Sequence, residues 1–454
     1  MKMSTQIDSS AAGASRDSRV AEYAAIGEEI HALMRRLYPI VRSITGDGVR
    51  RTLDLMREHV PLEIFEVPSG TPVFDWTVPK EWNVREAWVK NSRGERVIDM
   101  QRHPLHVVGY STPVRAKMSL ADLRPRLHTL PDHPDWIPFR ASYYKETWGF
   151  CLAHRELENL PPGEYEVCID STLADGSLTY AECRLPGAVD DEILLYTHIC
   201  HPALGNDNLS GMALLTLLAK ALAAGPRRFS YRIVFAPTTI GSITWLSRNE
   251  RELDRIRHGL VIALVGHDGA FTYKKSVAGD ALVDRAAAHA LKHCGLPYQV
   301  EEFSPYGYDE RQFCSPGINL PLGRFTRTPN ARYPEYHTSA DDLALVRPQN
   351  LAESFRVCRS LLRVLEHDAR YLNLQPKCEP QLGRRGLYNK TSAERDIGNR
   401  DLALLWLLSL SDGTRSLLDI AQRSGFSFDT TLVAAADLER AGLLRRVDGQ
   451  ETTE

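Results

Sequence analysis

The sequence predicts an α/β protein in which a central, largely parallel sheet carries two additions. Strand-like and helical segments alternate between residues 166 and 371, which is typical of a parallel sheet flanked by helices. Residues 63–166 instead show short β-type runs separated by Pro and Gly and rich in aromatic residues, which predicts a mostly β subdomain. Residues 402–447 contain three short helical patterns that resemble a winged-helix module.

The elements of the α/β region follow from the spacing of apolar residues. Apolar positions recur at helical spacing from residue 21 to about residue 59, with a Gly-containing turn at residues 43–48. Short apolar runs then predict strands at 193–196, 232–236 and 260–265, and longer periodic runs predict helices at 210–224, 282–293 and 348–365.

We therefore divide the chain into five parts. The first residues are rich in Ser and Ala and lack an apolar core, so they resemble a disordered leader and not a signal peptide. The predicted parts are the leader (1–19), the α/β catalytic domain (20–62 and 166–375), the inserted β-rich subdomain (63–165), a polar linker (376–400) and the winged-helix-like module (401–454).

Length and composition are those of an enzyme-sized globular protein. The 454 residues exceed one ordinary compact core, and the 43% hydrophobic and 25% charged residues are typical of globular chains. A net charge of −3 argues against a nucleic-acid-binding protein. No apolar run is long enough to span a bilayer, and the eight scattered cysteines indicate reduced thiols. We expect a cytoplasmic protein.

The residues most typical of a functional site follow the predicted strand at 193–196. His198, Cys200, His201 and Asp207 come directly after its carboxyl end, where open α/β sheets bind ligands. Imidazole and carboxylate groups are the usual zinc ligands of hydrolases. Asp207 and its neighbours could instead only cap the next helix. Two histidines together with an Asn-Asp-Asn-x-Ser-Gly turn favour the metal site.

This histidine and turn, at residues 198 and 206–211, resemble the di-zinc aminopeptidase family of the bacterial leucyl-aminopeptidase type. Residues 333–343 (Tyr-Pro-Glu-Tyr-His-Thr-Ser-Ala-Asp-Asp-Leu) resemble the family's last zinc histidine and its acidic turn. Nearly the whole chain resembles a bacterial group of aminopeptidase-like proteins with an inserted β domain and a C-terminal winged helix. The matching stretches are residues 78–83, 142–144, 148–151 and 309–313. The resemblance implies a zinc-aminopeptidase-like α/β/α sandwich.

The resemblance also implies bound Zn²⁺, as one or two ions. His198 would be a first zinc ligand, Asp207 the bridging carboxylate and His337 a ligand of the other ion. His201 has no counterpart in the ordinary peptidases and is a further candidate ligand. Cys200 stands where the peptidases have an Asp that orients the first histidine. A deprotonated thiol can itself bind zinc, or the side chain simply packs.

Two positions depart from the pattern of the peptidases. Ordinary members have two adjacent glutamates after the strand at 232–236, one as general base and one as metal ligand, whereas this chain has Thr238 and Thr239. A hydroxyl cannot accept that proton at neutral pH, and losing a general base costs about two to four orders of magnitude in rate. His267 replaces an acidic ligand. Both it and the adjacent Asp268 are candidate metal ligands.

Other residues near the site are candidates for the missing proton-transfer and binding roles. Glu335, Asp309 and Glu310 are candidate bases, because each is a carboxylate in a stretch that matches the family. Tyr336 is a candidate donor to an oxyanion.

A separate set of side chains is predicted to contact the substrate. Arg311 could hold a substrate carboxylate, which a guanidinium binds through two hydrogen bonds. Asn208 and Tyr333 are the other candidates. The alternative for the charged run at 309–311 is a solvated surface loop.

The leading hypothesis is a metal-dependent aminopeptidase-like hydrolase acting on a small peptide or an amide-bearing metabolite, in a biosynthetic setting, with Thr238 in place of the usual base. The alternatives are a catalytically impaired pseudopeptidase that binds a peptide or protein, or a different metal-assisted reaction at the same site. A transcription factor with a ligand-binding domain is a third class.

We also expect a homo-oligomer, no membrane contact, and an insert that serves as a lid or an oligomerisation surface. Residues 384–450 contain ten Arg or Lys and nine Asp or Glu, so the C-terminal module shows no excess of positive charge. For this module we rank protein contact first, peptide binding second and DNA binding third.

Overall fold

The structure is a computed structural model that describes residues 16–387 and 398–447. Most of the predicted leader (residues 1–15), the middle of the predicted linker (388–397) and the last seven residues lie outside the described part. The chain forms two compact units. One contains residues up to 279 together with 299–356, and the other contains residues 280–298 and those from 357 onward. No helix among the described residues has the length and apolar character needed to cross a membrane.

Twelve α-helices occur in the described residues. They are α1 (Arg16–Leu37), α2 (Asp47–Arg57), α3 (Leu120–Leu123), α4 (His154–Glu158), α5 (Gly211–Ala223), α6 (Ile240–Asn249), α7 (Leu282–Lys292), α8 (Glu310–Phe313), α9 (Pro348–His367), α10 (Asn399–Leu410), α11 (Leu417–Ser424) and α12 (Phe428–Arg440).

Nineteen β-strands occur in the same residues. They are β1 (Glu63–Pro68), β2 (Pro72–Val73), β3 (Trp76–Thr77), β4 (Glu81–Lys90), β5 (Arg96–Asp99), β6 (Val114–Ser119), β7 (Leu127–His128), β8 (Phe150–Cys151), β9 (Glu164–Ala174), β10 (Ser177–Leu185), β11 (Glu192–His198), β12 (Ser230–Ala236), β13 (Ile256–Ile262), β14 (Phe271–Lys274), β15 (Tyr298–Glu301), β16 (Leu322–Arg327), β17 (Arg370–Asn373), β18 (Asp412–Ser416) and β19 (Leu444–Val447).

The first unit is built on an eight-stranded sheet in the order β1-β10-β12-β11-β13-β16-β14-β15. The four central strands β12, β11, β13 and β16 are parallel, whereas β1, β10 and β14 pair antiparallel with their neighbours. Every residue of β11 is buried, as expected for a central strand of a parallel sheet covered on both faces. The predicted α/β alternation is confirmed, with element ends shifted by a few residues.

The order in which successive strands are added to the sheet reverses around β11, although the strands themselves stay parallel. The strand that follows it, β12, lies on one side, and the next, β13, lies on the other. This reversal opens a crevice at the carboxyl end of β11, which is where open α/β sheets bind ligands. A tight turn at Gly205–Ser210, in which Asp207 and Asn208 have non-helical backbone angles, follows β11 and leads into α5. Residues 198–210 therefore lie at the crevice.

The insert contains a separate four-stranded antiparallel sheet in the order β5-β4-β9-β6. Two small pairs, β2-β3 and β7-β8, complete its β structure. The strand β1 lies at the edge of the large sheet, where it pairs with β10. Many of the aromatic residues are core: Trp82 stacks on Tyr110 at 5.8 Å between ring centroids, and both are buried.

The second unit contains α7 and the predicted C-terminal module. Its three-stranded sheet has the order β18-β17-β19, so the strand at 370–373 lies between two strands that come much later in the chain. Helices α10, α11 and α12 pack on one another, and α11 begins with a capping box formed by Ser416 and Asp419. The three helical patterns predicted after residue 401 are confirmed.

Candidate metal centre

The carboxylate of Asp207 lies between two imidazole rings. His198 Nε2 is 2.9 Å from Asp207 Oδ1, and His337 Nε2 is 3.0 Å from Asp207 Oδ2. His198 is the last residue of β11, and Asp207 lies in the turn before α5. His337 comes from a loop about 130 residues later in the chain. The structure thus brings together the three residues that the family resemblance assigns to zinc.

His201 completes the group of donor atoms. One ligand atom each from His198, His201 and Asp207 lie within 4.8 Å of one another, and all three residues are buried. Burial lowers the pKa of His201 to about 3, so its imidazole is neutral. Burial alone would raise the pKa of Asp207, but His201, His198 and His337 hold it well below its usual value. A neutral imidazole beside an ionised carboxylate is the donor chemistry that zinc requires, so these residues fit the ion.

The turn that carries Asp207 is held by a second buried carboxylate, Asp341. Its Oδ1 accepts from Asn206 N at 2.5 Å and its Oδ2 from Asp207 N at 3.0 Å. Tyr333 donates its hydroxyl to the same Oδ2 at 3.1 Å. Burial is the main cause that raises the pKa of Asp341 to about 7. Tyr333 is predicted to contact substrate, but in the structure it supports the turn that carries Asp207.

Asn208 fastens the same turn to the sheet. Its Nδ2 donates to Thr197 Oγ1 at 2.8 Å and to His198 O at 2.9 Å, and its Oδ1 accepts from Leu264 N at 3.0 Å. The amide is fully buried and engaged in these bonds. A Cβ at Gly211 would collide with this amide, which explains the glycine in the motif. The structure places Asn208, another predicted substrate contact, in a supporting position.

Several residues around the site have a backbone conformation that L-residues seldom adopt. The φ angles are 45° at Ala203, 58° at Thr239, 52° at Leu264, 55° at Thr328 and 58° at His337. Non-glycine residues with such angles cost free energy and cluster at functional sites. Their concentration here supports a functional role for the crevice.

Thr238 and Thr239, which follow β12, bind a carboxylate from another loop. Asp309 Oδ1 accepts from Thr239 N and from Ser242 Oγ, each at 2.8 Å, and Oδ2 accepts from Thr238 Oγ1 at 3.2 Å. Asp309 is 1% exposed. Burial raises its pKa, whereas His198 and the bonds from Thr239 and Ser242 act in the opposite direction. The buried carboxylate of Asp309 thus lies against Thr238 and Thr239.

Glu310 has a different environment from its neighbour Asp309. Lys274 Nζ lies 2.6 Å and Arg324 Nη1 3.2 Å from its Oε1. Although burial alone would raise the pKa of Glu310, these two cations lower it to about 2. Such a carboxylate is a weak base, so the ion-paired Glu310 is a poor candidate for proton transfer.

Three other candidates lie outside the group of donor atoms. His267 Nδ1 is 2.8 Å from Thr328 Oγ1 and 3.1 Å from Gly269 N, and Asp268 is exposed beside it. Glu335 is half-buried, and its Oε2 is buried with no hydrogen-bond partner among the described residues. The described part of the chain shows a single group of three or more such donors, and it does not include these residues.

Two tyrosines, Tyr308 and Tyr336, line the side of the site that His337 forms. Tyr336 stacks on His337 with ring centroids 3.9 Å apart, and its hydroxyl contacts that of Tyr308. The Tyr308 ring lies 6.1 Å from the His198 ring, and burial raises the pKa of Tyr308 to about 12. Both hydroxyls therefore stay protonated and able to donate.

Arg311, in contrast, is exposed and bonds to the Pro305 carbonyl at 3.4 Å.

Cys200 contacts the imidazole of His201. Its Sγ lies 3.7 Å from His201 Nδ1 and accepts from Thr238 N at 3.4 Å. Burial raises the pKa of the thiol, so it is protonated in this environment. The sulfur lies on the Nδ1 side of the His201 ring, where a contact orients the imidazole.

The site includes groups that sequence reasoning missed. Asp341 is one, and the only signal in the sequence is the acidic pair four and five residues after His337. Arg42 is another. It is 2% exposed, and its Nε donates to His201 O at 3.1 Å. Burial lowers the pKa of Arg42 to about 10. The sequence around Arg42 contains no motif that indicates its contact with His201.

The insert also contributes to the site. Phe139 N donates to His337 O at 2.8 Å, and a β-bridge joins Pro138 to Thr338. The Phe139 ring packs edge-on against His201 and His337, with centroids 5.2 and 5.1 Å apart. This part of the insert is a wall of the metal centre.

The sheet topology and the arrangement of these residues define the class of the molecule as an aminopeptidase-like α/β protein. Family comparison agrees. The chain belongs to the family described as "Domain of unknown function (DUF4910)", whose model matches residues 31–368. Residues 369–446 match a winged helix-turn-helix model. The predicted family resemblance, α/β fold and C-terminal winged helix are confirmed.

Relatives with known sequences or structures support this assignment. The chain is 51% identical over 421 residues to a Clostridium acetobutylicum protein named "Putative polysaccharide biosynthesis protein with aminopeptidase-like domain", covering 93% of this chain and 97% of that one. A crystal structure named "putative peptidase" from the same organism matches with a TM-score of 0.90 and 49% identity, over 95% and 99% of the two chains. A zinc aminopeptidase from Bacillus subtilis shares the fold, with a TM-score of 0.55, 11% identity and coverage of 75% and 95%.

Replacing His198 by Ala should remove bound zinc from the protein. The change deletes one of the converging donors, so we expect zinc content after dialysis to fall to a small fraction of that of the wild-type protein. Elemental analysis measures this directly. His154→Ala, a histidine of the insert bonded to Thr129, is the matched control and should keep the full zinc content. Equal zinc in both variants would contradict the assignment.

Proposed function

We propose that this protein is a metal-dependent aminopeptidase-like hydrolase of small peptides or amide-bearing metabolites, in which Asp309 replaces the usual general-base glutamate. Membership of an aminopeptidase-like family supports the reaction class. The observation that carries the proposal is the convergence of His198, His201, Asp207 and His337 beside a buried carboxylate that Thr238 and Thr239 bind.

The proposed metal ligands are His198, His201, Asp207 and His337. A zinc ion held by them would act as a Lewis acid toward the amide carbonyl and the attacking water. Asp341 and Asn208 fix the turn of Asp207, and Arg42 fixes the backbone of His201. This support keeps the ligands oriented, as the outer groups of metal sites commonly do.

Asp309 is the proposed proton acceptor. Its Oδ1 accepts two hydrogen bonds and its Oδ2 accepts one from Thr238, and the Tyr196 hydroxyl also interacts with this carboxylate. A carboxylate oxygen can accept more than one hydrogen bond. Asp309 can therefore take a proton at Oδ2 while Thr239 and Ser242 hold the other oxygen in place. Ion-paired Glu310 is poorly suited to this role, and Glu335 is the remaining candidate. The hydroxyls of Tyr308 and Tyr336 are the proposed donors to the developing oxyanion.

The name of the Clostridium acetobutylicum relative supports a proposal for the biological setting. Its name associates an aminopeptidase-like domain with polysaccharide biosynthesis, and we propose a biosynthetic role in the cytoplasm for this chain too. A winged helix serves for contact with proteins or nucleic acid. Because charges of both signs balance in this module, we propose that it contacts a protein or peptide partner, with DNA binding ranked last.

The competing proposal is a pseudopeptidase that binds a peptide or protein without turnover. The presence of Thr238 and Thr239 where ordinary peptidases have two glutamates favours it. A panel of aminoacyl amides and N-acyl amides separates the two proposals. A hydrolase turns over at least one of them, loses activity in a chelator and regains it with zinc. No turnover by the zinc-loaded protein would favour the pseudopeptidase.

Replacing Asp309 by Asn should lower kcat by about two to four orders of magnitude, because the amide cannot accept the proton. The amide keeps the shape of the side chain and an oxygen for Thr239 N, so zinc content should not change. Asp175→Asn, in the exposed turn between β9 and β10, is the matched control. A kcat within a few-fold of the wild-type value in Asp309→Asn would exclude Asp309 as the base.

Replacing Ser242 by Ala should move the acidic limb of the pH–rate profile to higher pH. The base works only when ionised, so activity falls as the pH drops through its pKa. The hydrogen bond from Ser242 lowers the pKa of Asp309, and its removal raises that pKa further. The measurement is kcat/KM against pH. Ser354→Ala, a buried serine that donates to Val265 O, is the control and should leave the limb in place. A shift to lower pH would contradict the assignment.

A further inference from the structure

A large cleft continues from the metal centre into the insert. It has a cavity volume of about 630 Å³, which lies within the range of sites for small molecules. All but one of its lining residues belong to the insert, and the exception is His337. Phe139, whose ring contacts both His201 and His337, also lines it. The cleft and the metal centre therefore share a wall.

The lining of this cleft has charge of one sign. Arg126, Arg140 and Lys145 line it, with His128 and His337, and none of the described residues that line it is a carboxylate. Arg140 and Lys145 are exposed, and neither forms an ion pair with any residue in the described part of the chain. Clefts lined by charges of one sign concentrate ligands of the opposite sign.

Arg126 is fixed in position before any ligand arrives. Its Nη1 donates to Thr147 Oγ1 at 2.8 Å, and its guanidinium lies 4.8 Å from the centroid of the Trp148 ring. Burial, followed by the charges of Arg140 and Arg126, lowers the pKa of His128. The three side chains are thus close enough to repel an added positive charge, and an anion among them would relieve this repulsion.

We propose that the cleft binds an anionic group of the substrate, a carboxylate or a phosphate, through Arg140 and Lys145. The cleft would hold this group while an amide bond of the same molecule lies at the metal centre. The inference narrows the substrate class of the proposed hydrolase to acidic peptides or acidic amide-bearing metabolites, and in that respect it rests on the proposed function. Arg126 contributes a fixed positive charge to the field of the cleft.

Anion binding can be tested without turnover. The full chain, freed of metal by a chelator that is then removed, is titrated with inorganic phosphate and separately with succinate by isothermal calorimetry. We expect saturable binding of at least one probe. A hydrogen bond to a charged group is strong enough that Arg140→Gln and Lys145→Gln should each weaken binding about ten-fold. Arg115→Gln, an exposed arginine on β6 outside the cleft, is the control and should bind as the wild-type protein does.

The outcomes separate this inference from the proposed function. Tighter binding of phosphate or of succinate identifies the anionic group. Absence of saturable binding by the wild-type protein, or equal affinities in all variants, overturns the inference whatever the activity. Once turnover is found, Arg140→Gln should raise KM for acidic substrates about ten-fold and leave neutral amides unaffected. If the anions bind as expected but no substrate is turned over, the cleft remains assigned and the hydrolase proposal fails.

Discussion

The whole candidate site depends on one buried carboxylate, that of Asp207. An isolated charge in the protein interior is costly, and it persists only where opposite charges or hydrogen-bond donors surround it. Two imidazole nitrogens contact its oxygens at 2.9 and 3.0 Å, and a third imidazole lies in the same group. The surrounding groups hold the pKa of Asp207 well below its usual value. Its charge and its position between the rings are the basis for the proposed metal binding.

The Asp207 turn and the neighbouring His201 are supported by residues that are not themselves proposed metal ligands. Asp341 accepts hydrogen bonds from the backbone of the Asp207 turn, and burial raises the pKa of Asp341 to about 7, so it carries a proton more readily than Asp207. Two neighbouring buried carboxyl groups thus differ strongly in their affinity for protons. Arg42 adds a buried positive charge behind His201.

The sequence predicts the parts of this site that are local in the chain. His198, His201 and Asp207 lie within a ten-residue stretch that begins at the carboxyl end of β11, so their placement there follows from chain geometry, and His337 follows from the family motif. The site's other contacts depend on tertiary structure. The bond between Asp341 and the Asp207 backbone spans 134 residues, and Phe139 reaches the site through the insert. No sequence pattern indicates that Asp341 binds the Asp207 backbone or that Phe139 contacts the site.

The role of a predicted residue was harder to predict than its location. Asn208 and Tyr333 do lie at the site, yet their polar atoms bind Thr197, Leu264 and Asp341. Sequence reasoning likewise left three carboxylates open as bases, and only the fold distinguishes the ion-paired Glu310 from Asp309, which accepts hydrogen bonds from Thr238 and Thr239. Such roles depend on the burial of each side chain and on its hydrogen-bond and ion-pair partners, which a single sequence does not show.

The most direct test of this account is the position of zinc in the folded protein. Crystals of the full chain soaked in a zinc salt should give an anomalous-scattering peak at the zinc absorption edge. We expect the strongest peak to contact Asp207 together with at least two of His198, His201 and His337. A strongest peak at another site, or no peak at Asp207, would contradict the central claim that these side chains form a metal centre.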